Sequence, residues 1–319
     1  MSLKEVFQKQ GGMKLIKQYI SSGALGTAIG EFLLLGKSRT ALEILRLATQ
    51  LKTKQKLENK YRRVLESFEE TYDNSLPHVS SNKVWICWLQ GIENAPDLVQ
   101  KCFESVKNNL TDREIIVITS SNMTQYVEFP DYIIKKWRDG RITNTHLTDL
   151  LRLELLIKYG GMWLDATVFC STPSKDIPDY FFDSDLFFFQ SLKPGRDGKA
   201  TYISSWLMSA KSNNKILTAA RDLCYEYWKN ENEMKDYFLL HDFISIVLDK
   251  YTDEWKKIIP RDNSTPHILL LRLFDPFDKN IWSSIINQSP FHKLSYKLSE
   301  EQKERDGTFY KIILNNADF

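Results

Sequence analysis

Two aspartates and an arginine in the middle of this sequence have types and spacing suited to a ligand with hydroxyl and phosphate groups. Asp149 and Arg152 are three positions apart, so a helix would carry both on one face. Asp165 follows one apolar run and Gln90-Gly91 follows an earlier one, where glycine lets a ligand approach the backbone. A carboxylate accepts hydrogen bonds from a ribose or base, and a guanidinium pairs with a diphosphate. These positions therefore predict a nucleotide-type site.

Each of these features also has a purely structural interpretation, which the sequence leaves open. Asp149 and Arg152 would form an ordinary ion pair if their helix face were solvated. Asp165 would cap a turn, and Gly160-Gly161 would simply end a helix. The combination carries more weight than any single feature: an Asp-x-x-Arg helix, a Tyr-Gly-Gly stop, a strand and then an aspartate.

The elements that position these residues follow an α/β pattern from about residue 83 onward. Residues 84–89 and 114–119 are continuous apolar runs of strand length, and a helical pattern at 97–109 separates them. Such runs are typical of a mostly parallel sheet covered on both faces, and these sheets bind ligands at the carboxyl ends of their strands. Later patterns predict helices at 145–159, 215–230 and 238–251, and strands at 162–164, 185–190 and 204–210.

A basic N-terminal region precedes this domain. Apolar residues at three- and four-residue steps predict helices in residues 1–73, so we divide the chain into a helical region at 1–80 and an α/β domain at 81–319. Residues 1–63 hold 13 Lys and Arg against 4 Asp and Glu, although the whole chain has a net charge of only +2. This asymmetry predicts an anionic partner for the basic arm, either a membrane surface or nucleic acid. The alternative is that these helices, with their leucine-rich stripe at 42–51, pack on the α/β domain or on a second subunit. The acidic remainder of the chain argues against nucleic acid.

Composition is that of an ordinary globular protein, with 42% hydrophobic and 26% charged residues. The four cysteines form no CxxC pair, which predicts reduced thiols and a cytoplasmic location. We find no apolar leader at the start, and the stretch 20–36 is too short and too polar for a membrane span. Aromatic residues reach 13%, which suits either a well-filled core or stacking on sugar rings and bases.

The segment 148–168, from Thr-Asp-Leu-Leu-Arg through Tyr-Gly-Gly-Met-Trp-Leu-Asp-Ala-Thr-Val, resembles the sugar-binding region of family 32 glycosyltransferases. It is more similar still to the related bacterial capsular polysaccharide synthesis proteins, as are the opening strand at 84–91 and the late segment at 290–294. The resemblance covers roughly residues 80–300. It implies a GT-A fold and a nucleotide-sugar donor, with a UDP-sugar expected, and it favours retention of configuration at the transferred sugar.

The resemblance also implies roles for individual residues. Asp165 would be the catalytic carboxylate beside the donor diphosphate, where related families use Asp-x-Asp to hold Mn²⁺ or Mg²⁺. This chain has Asp165-Ala166-Thr167, and a neutral hydroxyl is a weaker ligand for a hard cation, so metal dependence stays open. His292 is a candidate late metal ligand, or else a structural histidine. The expected donor-binding residues are Trp88, Gln90, Gly91, Asp149, Arg152, Gly160, Gly161 and Asp165.

Candidate acceptor residues lie later in the chain. Asp242, on a predicted helix, would position or deprotonate the acceptor hydroxyl; the alternative is a solvated helix carboxylate. His241 beside it and Trp206 would line the acceptor groove.

We therefore expect a cytoplasmic glycosyltransferase, a hexosyltransferase of capsule or exopolysaccharide assembly, located at the inner face of the cell membrane. Its acceptor would be a lipid-linked oligosaccharide, and the basic arm would contact the anionic membrane surface. No nucleic-acid partner is expected. Two alternatives remain: a cell-surface sugar-phosphate transferase, whose product would keep the phosphate, and a non-catalytic scaffold subunit that binds nucleotide sugars.

Overall fold

The computed structural model describes residues 13–192 and 203–315 of the chain. Its helices, in chain order, are α1 (Met13–Ser21), α2 (Leu25–Leu35), α3 (Arg39–Thr71), α4 (Asp97–Asn109), α5 (Met123–Tyr126), α6 (Asp131–Arg138), α7 (Asn144–Tyr159), α8 (Tyr180–Asp183), α9 (Lys215–Asn230), α10 (Leu239–Lys250), α11 (Thr252–Lys257), α12 (Ile268–Arg272), α13 (Lys279–Ile286), α14 (Glu300–Lys303) and α15 (Phe309–Asn315). Its strands are β1 (Lys83–Cys87), β2 (Glu114–Ile118), β3 (Gly161–Asp165), β4 (Val168–Cys170), β5 (Leu186–Gln190), β6 (Ile203–Ala210) and β7 (Phe291–Lys293).

The chain divides into two compact units, each assembled from separate stretches of sequence. The helical unit comprises residues 1–73, 129–147 and 219–252, and the α/β unit comprises residues 74–128, 148–218 and 253–319. The division expected at residue 80 lies close to the first transition, but the sequence does not show that two later segments join the N-terminal helices. Residues 1–12 of the expected basic arm lie outside the described residues.

Helix α3 is the longest helix of the helical unit among the described residues. Ser38 caps its N-terminus, because the Ser38 Oγ accepts a hydrogen bond from the backbone N–H of Ala41 at 3.1 Å. Tyr61 and Leu65 lie on its buried face, and the Tyr61 ring contacts the edge of Phe243 in α10 at 5.6 Å. This packing explains why residues 219–252 belong to the helical unit: the apolar face of α3 needs a partner.

None of the described helices combines the length and the apolar composition that a membrane span requires.

The α/β unit is built on a sheet whose five described strands have the order β2-β1-β3-β6-β5. Strand β1 pairs in parallel with β2 and β3, whereas β6 is antiparallel to both β3 and β5. Four of these five described strands therefore run in the same direction, which confirms the expected α/β fold with a mostly parallel sheet. Strands β4 and β7 form a separate antiparallel ladder.

The carboxyl ends of β1 and β3 meet at one edge of this sheet. Both strands are buried along most of their length, as expected when a sheet is covered on both faces. Their register pairs Cys87 with Asp165, so Trp88, which follows β1, lies at the same edge as Asp165. All four cysteines are buried, and the reduced state expected of their thiols stays a prediction.

Two glycines with positive φ join α7 to β3. The φ angles are 67° at Gly160 and 93° at Gly161, a region that L side chains rarely adopt. A Cβ on Gly161 would lie 2.3 Å from the carbonyl oxygen of Lys83, closer than two such atoms can approach. Both the backbone conformation and the available space therefore require glycine at this turn, and the expected end of the helix is confirmed.

Candidate active site

Asp165 is the last residue of β3, and both of its carboxylate oxygens accept hydrogen bonds. Its Oδ1 accepts from Arg152 Nη2 and from Trp163 Nε1, each at 3.0 Å, and its Oδ2 accepts from Lys293 Nζ at 2.9 Å. Burial by itself would raise the pKa of Asp165, but the charges of Lys293 and Arg152 and the bond from Trp163 outweigh it and lower the pKa. With its side chain 28% exposed, Asp165 is a fixed, ionised and accessible carboxylate.

Arg152 holds two carboxylates together from a buried position on α7. Its Nη1 donates to Asp149 Oδ1 at 2.8 Å and to the hydroxyl of Ser205, while Nη2 reaches Asp165. The guanidinium also lies over the Trp163 ring, 4.9 Å from its centroid. The shared helix face expected for Asp149 and Arg152 is confirmed, but both residues are buried. In this arrangement Arg152 orients Asp165 through a planar fork; its expected contact with a diphosphate stays a prediction.

Lys293 contacts Asp165 from β7, a distant part of the sequence. The ammonium donates to Asp165 Oδ2 and also to the Thr167 hydroxyl. Lys293 pairs with Val168 in the β4–β7 ladder, which fixes its backbone. Sequence reasoning singled out the neighbouring His292 instead. Because successive residues of a strand point to opposite faces, the two side chains cannot both face Asp165.

His292 lies on the other face of β7, fully buried. Its Nε2 is 3.0 Å from the hydroxyl of Ser171, and its ring packs near Phe169. Desolvation lowers the pKa of His292 to about 4, so the imidazole is neutral at physiological pH. The structure therefore does not bring His292 together with Asp165 as the expected pair of metal ligands.

The residues around Asp165 do not fit a divalent cation. Such a cation prefers several carboxylate, carbonyl or water oxygens. Both oxygens of Asp165 instead accept bonds from positively charged groups, and Thr167 contributes a neutral hydroxyl that already contacts Lys293. Among residues 13–192 and 203–315, no group of three or more His, Cys, Asp or Glu side chains could hold a metal ion.

An aromatic pair lies at the same sheet edge. Trp88 is half-buried directly after β1, and its ring meets Tyr296 at 5.3 Å with an interplanar angle of 81°. Tyr296, which sequence reasoning did not single out, is 39% exposed. In the loop after β1, Gln90 is exposed, whereas Gly91 is buried and has a φ of 87°. Trp88, Gln90 and Gly91 thus share the carboxyl edge with Asp165, as expected.

Three other expected site residues of the α/β unit lie away from this cluster. Gly160 and Gly161 are at the opposite end of β3, where Gly161 lies about 13 Å along the strand from Asp165 at roughly 3.3 Å per residue. Their conformation and close contacts account for them without a ligand. Trp206 is buried in the core, where it stacks on Phe189 at 4.7 Å and donates to Asn263 Oδ1. Donor and acceptor roles for these residues stay predictions.

The expected acceptor residues Asp242 and His241 belong to the helical unit. Asp242 is 1% exposed rather than solvated. Burial, followed by the nearby charge of Asp236, raises the pKa of Asp242 well above its usual value. His241 is half-buried and packs against Phe238. The acceptor role of the pair stays a prediction.

Comparison with known proteins gives this site a context. Residues 39–313 match the family described as "Capsular polysaccharide synthesis protein". The chain is similar to O-glycosyltransferase braB of Annulohypoxylon truncatum, with 32% identity over 110 residues, which are 32% of this chain and 26% of that protein. It is also similar to O-glycosyltransferase PaGT of Phomopsis amygdali, with 26% identity over 167 residues, 49% of this chain and 41% of that protein.

The chain thus matches less than half the length of either curated relative. Among solved structures, the PaToxG glycosyltransferase aligns with 83% of this chain and 96% of its own, at a TM-score of 0.41 and 13% identity.

Proposed function

Since the chain belongs to the family of capsular polysaccharide synthesis proteins, we propose that it transfers a sugar from a nucleotide-sugar donor to a hydroxyl group of an acceptor. The observation that supports this proposal best is the cluster at the carboxyl edge of the sheet. An ionised, accessible carboxylate, Asp165, is held there by Arg152 and Lys293 beside the aromatic pair of Trp88 and Tyr296.

The parts of a nucleotide sugar match the groups at this edge. A flat base stacks well on aromatic rings, and we propose that the half-buried Trp88 and the exposed Tyr296 provide them. A sugar hydroxyl is a donor for a carboxylate such as Asp165. The negatively charged diphosphate suits the ammonium of Lys293. We propose a UDP-sugar as the donor, a hexose as the transferred group and a lipid-linked oligosaccharide as the acceptor.

The catalytic contribution of the site is electrostatic. When the bond between the sugar and the donor phosphate breaks, negative charge grows on the departing diphosphate. A cation that is already fixed in place stabilises this charge without reorganising. Asp165 holds Lys293 in that position and accepts from the sugar, and Arg152 keeps Asp165 in its rotamer.

We further propose that the helical unit contacts an anionic membrane surface. Helix α2 exposes Leu33 and Leu34, 78% and 82% exposed, and the basic residues Lys37 and Arg39 that follow are exposed too. Adjacent apolar and basic side chains suit the boundary between headgroups and acyl chains, and each basic residue near such a surface contributes about 1 kcal/mol. Leu33 and Leu34 would thus add an apolar contribution to membrane binding, beside the attraction between the basic residues and the anionic surface.

Vesicle sedimentation tests the membrane proposal. We expect the full chain to sediment with phosphatidylglycerol vesicles at low salt and less so at high salt, because exposed charges are screened. Replacing Leu33 and Leu34 by serine should weaken this binding about tenfold or more. Leu271→Ser is the matched control, since Leu271 is equally exposed, at 78%, but lies in the α/β unit. Equal binding by both variants would refute the proposal.

A panel of nucleotide sugars tests the enzymatic proposal. We expect release of the nucleotide from one donor, and a fall of about a hundredfold or more in Asp165→Asn, whereas Asp306→Asn, at an exposed position, keeps full activity. Product mass separates sugar transfer from sugar-phosphate transfer. Nucleotide-sugar binding without turnover would instead identify a scaffold subunit.

A further inference from the structure

We infer that the ammonium of Lys293 serves as the cation that binds the donor diphosphate, in the position between Asp165 and Thr167 that a divalent metal ion would otherwise need. This inference rests on the proposed function, and it names the chemistry by which the same site recognises a nucleoside diphosphate.

The first support is the position of the ammonium. Lys293 Nζ lies between the Asp165 carboxylate, 2.9 Å away, and the Thr167 hydroxyl, and it donates to both. These oxygens belong to residues two positions apart, one at the end of β3 and the other in the turn before β4. An ammonium has three N–H donors, so one N–H remains to meet a phosphate oxygen. The side chain is 20% exposed, so part of Lys293 reaches the surface of the protein.

The second support is the rigidity of this arrangement. The register of the β4–β7 ladder sets Lys293 opposite Val168, and the backbone N–H of Leu294 donates to the Thr167 carbonyl at 2.9 Å. The lysine and its hydroxyl partner are therefore tied together through the backbone. A cation held in this way needs no metal to order the turn.

The third support is the charge balance of the cluster. Asp149 and Asp165 carry two negative charges, and Arg152 and Lys293 carry two positive ones, each within hydrogen-bond distance of a carboxylate. The Lys293 ammonium would repel a divalent cation added at this point, and the neutral cluster has no net negative charge to offset that repulsion. The same ammonium would attract a diphosphate.

Binding of UDP, measured by calorimetry in EDTA and again with Mn²⁺, tests the inference. We expect the wild-type chain to bind UDP equally well in both buffers. Lys293→Met should bind UDP at least tenfold more weakly in EDTA, and Lys293→Arg, which keeps a cation, should retain most of the affinity and control for folding. Lys297→Met removes an exposed lysine four residues away and should change nothing.

A double variant should make UDP binding depend on a metal ion instead of on Lys293. Combining Lys293→Met with Thr167→Asp removes the lysine and supplies a second carboxylate, so the UDP affinity of this variant should rise on addition of Mn²⁺. Electron paramagnetic resonance of the same samples reports bound Mn²⁺ directly, and the wild-type chain should bind none at Asp165.

Three results would overturn the inference. They are a tenfold gain in wild-type UDP affinity with Mn²⁺ that Asp165→Asn abolishes, an unchanged UDP affinity in Lys293→Met, and a wild-type chain that binds no UDP in either buffer. Failure of the proposed function looks different: UDP binding would depend on Lys293 without metal, yet no nucleotide sugar would be turned over. Turnover that requires Mn²⁺ would refute the inference and leave the proposed function standing.

Discussion

Replacing Arg152 by methionine should destabilise the α/β unit strongly, because two carboxylates, Asp149 and Asp165, lose the guanidinium that pairs with both. Asp149 is 6% exposed and would keep its charge in a buried position without the bond from Arg152 at 2.8 Å. Asp165 is less affected, since it is partly exposed and keeps Lys293. Removing one partner from a buried ion pair costs about 3–5 kcal/mol, so we expect the free energy of unfolding to fall by about that amount.

Thermal and urea unfolding, followed by tryptophan fluorescence, measures this loss. The Trp163 ring, 4.9 Å from the guanidinium, is one of the eight tryptophans that contribute to this signal. A second variant that combines Arg152→Met with Asp149→Asn should recover about 1 kcal/mol or more, because the added substitution removes the buried negative charge that faced the guanidinium. Arg305→Met is the control: Arg305 is 53% exposed in a surface ion pair, and its loss should cost less than about 1 kcal/mol.

A variant as stable as Arg305→Met, or a deficit that Asp149→Asn leaves unchanged, would refute the buried ion cluster.

Three further results are expected. Gly161→Ala should lower the free energy of unfolding by about 2 kcal/mol or more, because alanine disfavours the positive φ and its Cβ would contact the Lys83 carbonyl. Gly307→Ala is the control and should cost less, since Gly307 has a φ of 67° but no atom near a Cβ. Equal melting temperatures of the two variants would argue against the contact. Burial lowers the pKa of His292 to about 4, so stability should fall by roughly 3 kcal/mol as the pH drops from about 6.5 to 4, because only the unfolded state takes up the proton; His292→Gln should lack this slope. Deleting residues 1–73 should cause aggregation, because α10 then exposes its buried face; a soluble, monomeric product would contradict the helical unit.

Local patterns were enough to predict most elements near the site. The helix at α9 has the bounds expected from its apolar periodicity, and the glycine stop after α7 follows from the freedom of glycine at positive φ. The shared face of Asp149 and Arg152 follows from helix geometry alone. Each of these features depends on residues a few positions apart, which is the range over which sequence spacing is informative.

The choice between His292 and Lys293 shows where local patterns stop. Their short strand predicts that they face opposite sides, but only the register with β4 decides which one reaches Asp165. That contact joins residues 128 positions apart. Likewise, nothing in the sequence distinguishes the buried Trp206 from the half-buried Trp88 at the sheet edge.

The sequence by itself determined the α/β class, the helix that carries Asp149 and Arg152, the aspartate at the end of β3 and the basic N-terminal region. Each of these features depends only on local periodicity, residue spacing or composition. Only the tertiary structure decided that Lys293 is the cation at Asp165, that Arg152 is buried between two carboxylates, and that residues 219–252 pack with the N-terminal helices. The reason is physical: these contacts depend on strand register and on the packing of distant segments, which local residue spacing does not encode.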